Sequence, residues 1–518
     1  MTQKTYRHGR FAAAYVLVLI LSGAAFPAAP EVAKNVILMI SDGAAWGTWA
    51  LASDWEFGEK GHQPYYRFPV QLGVTTFPLN TATAPTNSAT PLMGYDAARA
   101  WDPTPNFGSL RGIPNFFNGY AYLKAGATDS AAAATAFASG TKTYNTALNV
   151  DNFGQPLPFI TQFAKRLGKA AGVVTSVPFT HATPAAFGAR NRSRANYGEI
   201  GRQMVGEPTL DLIMGAGNPL YDVDGRLNGS PRFANETGPG GAYVARSTWE
   251  ALVDGSAGWR LIQSKGDFAA LAAGTLTPTG QRLIGVPQVA DSLQVNRTEA
   301  VRGADPANPS GIAFNPQVPT LEMMARGALN VLARDPDGFF VMIEGGAVDW
   351  AAHANDTARV IEELMDFNHA VRSVVAWVEA NSSWRETLLI VLPDHGTGMP
   401  MGPDSASVAF EPIRSHGVGK LPGVRWHTGN HANEIVLMRA IGAGAELFKD
   451  HLAGQDPALR TVLGFNDGSY IDNTTVFTVM KAAMQPAEPA VTAIDTRCAC
   501  TGGPPRVGKT PGNRILWR

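Results

Sequence analysis

Cysteine is nearly missing from this chain. Cys498 and Cys500, both in "RCACTGG", are the only two among 518 residues. Two cysteines this close cannot staple a core, which excludes a disulfide framework and leaves stability to packing and to metal ions. The pair reads as tail thiols or as one strained local bridge. Charge is scarce as well: Asp, Glu, Lys and Arg make up 16% of the chain, and 42 basic residues against 43 acidic ones leave a net charge of -1. That balance argues against a nucleic-acid-binding surface or an acidic tail. Long hydrophobic runs are limited to one, "FAAAYVLVLILSGAAF", which is short for a membrane span of about 20 residues. Lys4, Arg7 and Arg10 precede it and the small residues of "SGAAFPAAP" close it. Residues 1–29 therefore read as a secretory signal cleaved between Gly23 and Pro30, with an uncleaved membrane anchor as the alternative. The mature chain is expected to lack a membrane span and to be exported, either to a periplasm or to the medium. No internal repeat is present.

Apolar residues are plentiful, at 45%, with 55 glycines and 36 prolines. This describes a large core with many turns rather than a disordered chain. Several short β-branched runs end directly in residues able to hold a metal ion. "NVILMISDG" delivers Asp42, and "AGVVTSVPFTHATP" delivers His181 and Thr183. "GFFVMIEGGAVDWAAH" delivers Glu344, then Asp349 and His353, and "TLLIVLPDHGTG" delivers Asp394 and His395. Such runs predict buried strands of a parallel or mixed sheet. "LPFITQFAKRLGKA", "TLEMMARGALNVLARD" and "VIEELMDFNHAVRSVVAWVEA" carry helical periodicity between them. The alternation predicts an α/β sheet covered on both faces, with ligands gathering beyond the carboxyl ends of the strands.

An acid after a strand is ordinarily a turn or cap residue. Four such ends in a chain with ten histidines, three of them at these ends, make a shared site the stronger expectation. Asp349 and His353 are four apart, so a helix there would set both on one face to grip one ion. Asp and His suit zinc but need a further ligand, for which "RWHTGNHANEIVLM" offers His427 and His431. Glu344 with a threonine would suit a harder ion such as magnesium. In "GATDSAAAATAFASGTKTYNTALNVD", Ser130 stands at a predicted helix start, where a hydroxyl either caps the helix or acts as a nucleophile. Asp129 beside it has its own capping reading.

These stretches resemble alkaline phosphatases. "TDSAAAATAFASGTKTYNTALNVD" is similar to that family's nucleophile segment. "SDG", "HATPAAFGARNRSR", "DLIMGAG", "EGGAVDWAAH", "PDHGTG" and "HANEIV" match further blocks in the same order. The resemblance extends over roughly 35–484 and is weak near 45–122 and 222–315, which are expected as insertions or variable loops. It implies one catalytic domain over 30–485, followed by an unassigned tail over 486–518. The fold it implies is a three-layer α/β/α sandwich around a mostly parallel mixed sheet.

The resemblance also implies roles. Ser130 would be the nucleophile, Arg194 the phosphate clamp and Asp129 the group orienting that arginine. Asp349, His353 and His431 would hold one Zn2+, with His427 as the runner-up to His431. Asp42, Asp394 and His395 would hold a second Zn2+. Asp42, Thr183 and Glu344 would hold Mg2+, with His181 binding it directly or through water. His181 and Trp350 form a pair found in some marine and cold-adapted bacterial members, and the uncharged Trp350 is expected to weaken product binding. The implied substrates are small phosphate monoesters, with inorganic phosphate as product and a homodimer as an open expectation. Diesterases usually have a threonine nucleophile and lack the arginine clamp and third site, and sulfatases need a Cys-x-Pro-x-Arg segment absent here. A non-catalytic homologue would have lost a ligand or the nucleophile, and none is missing.

Overall fold

The computed structural model describes residues 32–278 and 280–485. The proposed signal and the tail with Cys498 and Cys500 lie outside the described residues. A single sheet of eleven strands dominates. Its middle is parallel: Thr387–Leu392, Asn35–Ser41, Phe339–Gly345, Ala170–Pro178, Leu212–Ala216, Arg282–Gly285 and Trp259–Ile262 lie side by side in that order. Beyond Thr387–Leu392 the sheet turns mixed. Val436–Gly442 runs antiparallel to it and to Val70–Thr75, and Ser469–Asp472 pairs parallel with Val70–Thr75.

Alternation along the strands explains the layers. Ile37, Met39, Val341, Ile343, Leu389 and Val391 point into one core, with Trp49, Leu51, Met324, Ala328, Val360, Leu364 and Val371 from three helices. Their neighbours Val36, Leu38, Ile40, Phe340, Met342, Leu388 and Ile390 point into a second core on the opposite face. There they meet Ala131, Ala134, Phe137 and Ala138 of the helix Ser130–Ser139 and residues of the helices Ile160–Arg166 and Thr474–Ala483. A strand with both faces covered has to be apolar at every position, as "NVILMI" and "TLLIVL" are. The protein is thus the three-layer α/β/α sandwich expected.

The alanine-rich helix Ser130–Ser139 is buried throughout. Its small side chains let the backbone approach the sheet, and the many contacts around it hold the start of the helix in place. The stretches expected as insertions or variable loops carry more than loops. Within 45–122 lies Val70–Thr75, inside the sheet, and 222–315 contains Trp259–Ile262 and Arg282–Gly285 at its edge. "GTKTYNTALNVD", which follows the alanine-rich helix, forms no extended strand. It contains only single bridges, at Tyr144, Leu148 and Val150, because its backbone turns repeatedly, with Thr146 and Asn149 at positive φ.

Candidate active site

Register brings the strand ends together. Ile40 lies opposite both Leu392 and Glu344, and Glu344 lies opposite Thr175. Asp42 and Asp394, each two residues past its paired position, therefore emerge side by side with Glu344. The Gly43 N–H donates to Asp394 Oδ1 at 3.0 Å. Gly43 has φ +69, and a Cβ there would lie 2.6 Å from Asp349 Oδ1 and 2.7 Å from Thr397 Oγ1. The glycine of "SDG" thus permits a left-handed turn and the close approach of the Asp349 and Thr397 side chains.

The helix Ala347–His353 follows Glu344 and puts Asp349 and His353 on one face, with His353 Nε2 3.4 Å from Asp349 Oδ2. His431 arrives from a short strand pair, Thr397 opposite His431, and its Nε2 lies 3.4 Å from Asp349 Oδ1. The two Nε2 atoms of His353 and His431 are 3.0 Å apart. Each Nδ1 faces a carbonyl at 2.8 Å, Gly429 O for His353 and Thr128 O for His431. His395 Nε2 lies 3.5 Å from Asp42 Oδ1, 3.3 Å from Asp394 Oδ2 and 3.2 Å from Ser130 Oγ. The His395 and His431 rings stack at 3.8 Å, joining the groups. Among the described residues, Asp349, His395 and His431, and separately Asp42, Asp394 and His395, bring ligand atoms within 4.8 Å of one another.

Ser130 opens its helix and is 1% exposed. Asp129 performs both tasks weighed for it. Its Oδ1 accepts the N–H groups of Ala132 and Thr146, each at 3.0 Å, and its Oδ2 accepts from Arg194 at 3.0 Å. The other arm of Arg194 meets His181 Nε2 at 3.1 Å. The His181 and Trp350 rings meet edge to face, with centroids 5.5 Å apart. Thr183 Oγ1 lies 3.5 Å from Asp42 Oδ2. Glu344 accepts from Thr175 on one oxygen, and its other oxygen has no partner.

The electrostatics call for added positive charge. Burial pushes the Asp42 carboxyl well above its usual range, and neighbouring Asp394, Asp349 and Glu344 push it further. Burial raises Glu344 to about 7 and Asp394 to about 6. Burial also works to raise Asp349, but His431 and His353 outweigh it and hold that carboxyl well below its usual range. Burial, then the charge of His431, drops His395 well below an ordinary imidazole, so it stays neutral with a lone pair to offer. Burial and then Arg194 bring His181 to about 3. Asp42 Oδ1, Asp394 Oδ2, Glu344 Oε1 and His181 Nδ1 are buried without hydrogen-bond partners. Buried oxygens of this kind are costly unless a cation neutralises them. Imidazoles whose second nitrogen is fixed by a carbonyl are the usual form of metal-ligating histidine. The donor set, mixed O and N at one end and O alone at the other, suits the cations expected of it.

His427, the runner-up, is elsewhere. It is buried beside Tyr120 and Phe116, its Nε2 lies 2.8 Å from Ser405 Oγ, and burial lowers it to about 3. Lys142, in the segment after the serine helix, pairs with Asp472 at 2.9 Å. Three residues of the site were not singled out from the sequence. Thr397 donates to Asp349 Oδ1 at 2.6 Å, Thr175 bonds Glu344, and Asn145 accepts from the Asp129 N–H at 3.1 Å. Thr397 lies in "PDHGTG", two residues past His395, where it reads only as a turn residue.

Strand-end carboxylates, facing imidazoles and a buried serine on a three-layer α/β/α sheet define a protein of the alkaline-phosphatase fold. The family model described as alkaline phosphatase matches residues 117–416, more than half of the sequence, and the chain belongs to that family. It is 31% identical to alkaline phosphatase 3 of Bacillus subtilis over 297 residues, 56% of this chain and 54% of that one. It is 27% identical to the alkaline phosphatase of Escherichia fergusonii over 478 residues, 87% and 86% of the two chains. The match spans about half the length of the Bacillus relative. Among solved structures, the alkaline phosphatase from the Antarctic bacterium TAB5 shares the fold with a TM-score of 0.56 at 22% identity, covering 89% of this chain and all of that one. The cold-active alkaline phosphatase of a Shewanella species gives 0.57 at 21% identity over 87% of this chain and all of that one.

Proposed function

We propose that this protein is an exported, metal-dependent phosphate monoester hydrolase that works through a phosphoserine at Ser130. Asp349, His353 and His431 would hold one Zn2+, and Asp42, Asp394 and His395 a second. Asp42, Thr183 and Glu344 would hold Mg2+, with His181 beside them; a variant of the TAB5 enzyme is described with Mg in its M3 site. When bound, the zinc ions would supply Lewis-acid neutralisation of the dianionic phosphate and lower the pKa of the serine hydroxyl.

The chain's own groups supply the rest. Asp129 and the start of the helix fix Ser130, and the helix adds partial positive charge where phosphate oxygens would lie. Arg194, steadied by Asp129, offers a planar fork to two phosphate oxygens. The Ser130 hydroxyl gives up its proton and its oxygen bonds to phosphorus while the ester bond breaks, and the leaving oxygen departs with the bonding pair and takes up a proton. Water then gives up a proton and attacks the phosphoserine, the phosphorus–serine bond breaks with its pair and a proton going to the Ser130 oxygen, and inorganic phosphate leaves. The arginine fork and the third set of oxygen ligands favour a monoester, whose phosphate has free oxygens to offer them.

One observation supports this reading above the others: Ser130 Oγ sits 3.2 Å from His395 Nε2, the imidazole common to both groups of converging ligands. The test compares hydrolysis of an aryl phosphate monoester with that of the diester, with and without chelator, for wild type and Ser130→Ala. Monoester turnover that falls by about three orders of magnitude or more in the variant, and falls with chelation, supports it. Equal rates for the two proteins overturn it.

A further inference from the structure

A hairpin outside the main sheet, Pro105–Leu110 paired antiparallel with Ile113–Phe117, carries Arg111 at its tip. Arg111 and Gly112, the two turn residues, have φ 53 and φ 81. This is the two-residue turn that ordinarily takes Asn-Gly or Asp-Gly. An arginine held in the left-handed region carries a backbone cost that its side chain has to justify. That side chain is exposed, and its NH1 donates to Asn430 Oδ1 at 3.0 Å, the residue next to His431.

Arg111 borders a cavity of about 620 Å³ that Asp129, His353 and His431 also border, so it faces the mouth of the candidate active site. Lys124 borders it too and ties down the hairpin by donating to Pro114 O at 3.1 Å. Among the described residues neither Arg111 nor Lys124 has a carboxylate within ion-pair distance, whereas the one acid lining the cavity, Asp129, is taken by Arg194. One exposed cation without a counter-ion, Arg111, therefore borders the space where a leaving group would sit, beside a Lys124 that is buried and that burial pushes down to about 8. A guanidinium with four free N–H groups matches a carboxylate or phosphate in a planar fork.

We infer that Arg111 is a specificity-determining residue that favours phosphate monoesters whose leaving group carries a second anionic group. The inference rests on the phosphomonoesterase reading. The holoenzyme, in excess zinc and magnesium, would be given 4-carboxyphenyl phosphate and its uncharged isostere 4-carbamoylphenyl phosphate. Adenosine 3′,5′-bisphosphate and adenosine 5′-monophosphate form a second pair of longer reach. Wild type is compared with Arg111→Asn, which tolerates the turn, and with Arg111→Glu. The charged-to-neutral ratio of kcat/KM is expected to fall about threefold or more in Arg111→Asn, mainly through KM, to fall further in Arg111→Glu, and to shrink in wild type at high salt. A ratio unchanged for both pairs overturns the inference, as does an equal loss on charged and neutral substrates, which a merely structural arginine would give. Calorimetric binding of the aryl pair in a Ser130→Ala background reads the same ratio without turnover. If wild type cleaves none of the monoesters the catalytic reading fails, and the binding ratio still decides whether Arg111 selects anionic groups.

Discussion

The Nε2 atoms of His353 and His431 face each other at 3.0 Å, while each Nδ1 points at a backbone carbonyl 2.8 Å away. The carbonyls keep a proton on each Nδ1, so the two Nε2 atoms, which face each other and Asp349, have to share either a proton or a cation. That arrangement is stable only around a proton or a cation, and it fixes the first prediction. Chelation is expected to lower the melting temperature, and added Zn2+ to restore it, as for any ligand bound only by the folded state. His353→Ala or His431→Ala is expected to weaken zinc binding roughly 10–100-fold or more by calorimetry. Unchanged melting with chelator would count against the metal centre.

Asp129 divides its two oxygens between helix capping and Arg194, and two substitutions separate these tasks. Asp129→Asn keeps a capping oxygen, because Asn and Asp serve about equally there. It should leave the melting temperature nearly unchanged while raising KM and the inhibition constant for phosphate, through the loss of the charged partner of Arg194. Asp129→Ala should do both, with a cap loss of about 1 kcal/mol. Thermal melts beside steady-state kinetics check the pair.

Trp350 stands edge-on to His181, whose Nε2 meets Arg194, so an uncharged ring borders the clamp. Trp350→Lys would place a cation there and is expected to tighten inhibition by inorganic phosphate. An inhibition constant equal to that of wild type would reduce Trp350 to a packing role.

The sequence shows some of this architecture and hides the rest, for physical reasons. Strand ends bearing Asp42, Glu344 and Asp394 are legible because a strand covered on both faces leaves a continuous apolar run, and its first polar residue marks the exit. Asp349 and His353 are legible as a pair because helical spacing is local. The placement of Val70–Thr75 between two distant strands is not legible, since partners 370 residues apart, such as Val70 and Ala440, leave no local trace, and the register is set by tertiary contact rather than by neighbours. The choice of His431 over His427 needed the family resemblance. Only the fold shows that His427 is walled in by Tyr120 and Phe116. Thr397 and Thr175 were missed because a small hydroxyl in a turn or strand looks the same whether it bonds a ligand carboxylate or water.

A carboxylate away from the site gives a pH prediction. Burial, then Asp366 and Glu362, raise Glu363 to about 8 in the folded protein. A group whose folded pKa lies above its unfolded value gives its full stabilisation below the unfolded pKa and loses it as pH rises through the folded one. Stability should therefore decline between about pH 4.5 and about pH 8 and stay lower above. Glu363→Gln is expected to flatten that decline by a few kcal/mol at most, on the order of the shift, while changing little near pH 4. Chemical denaturation across this range checks it, and a variant with the wild-type pH slope would contradict it.

Trapping the phosphorylated enzyme tests the central claim most directly. The holoenzyme would be mixed with an aryl phosphate monoester, quenched in acid, digested and analysed by mass spectrometry. The account predicts phosphate on Ser130 and on no other residue, absent after chelation and absent in Ser130→Ala. Full monoester turnover with Ser130 unmodified, or with phosphate on a different side chain, would contradict it.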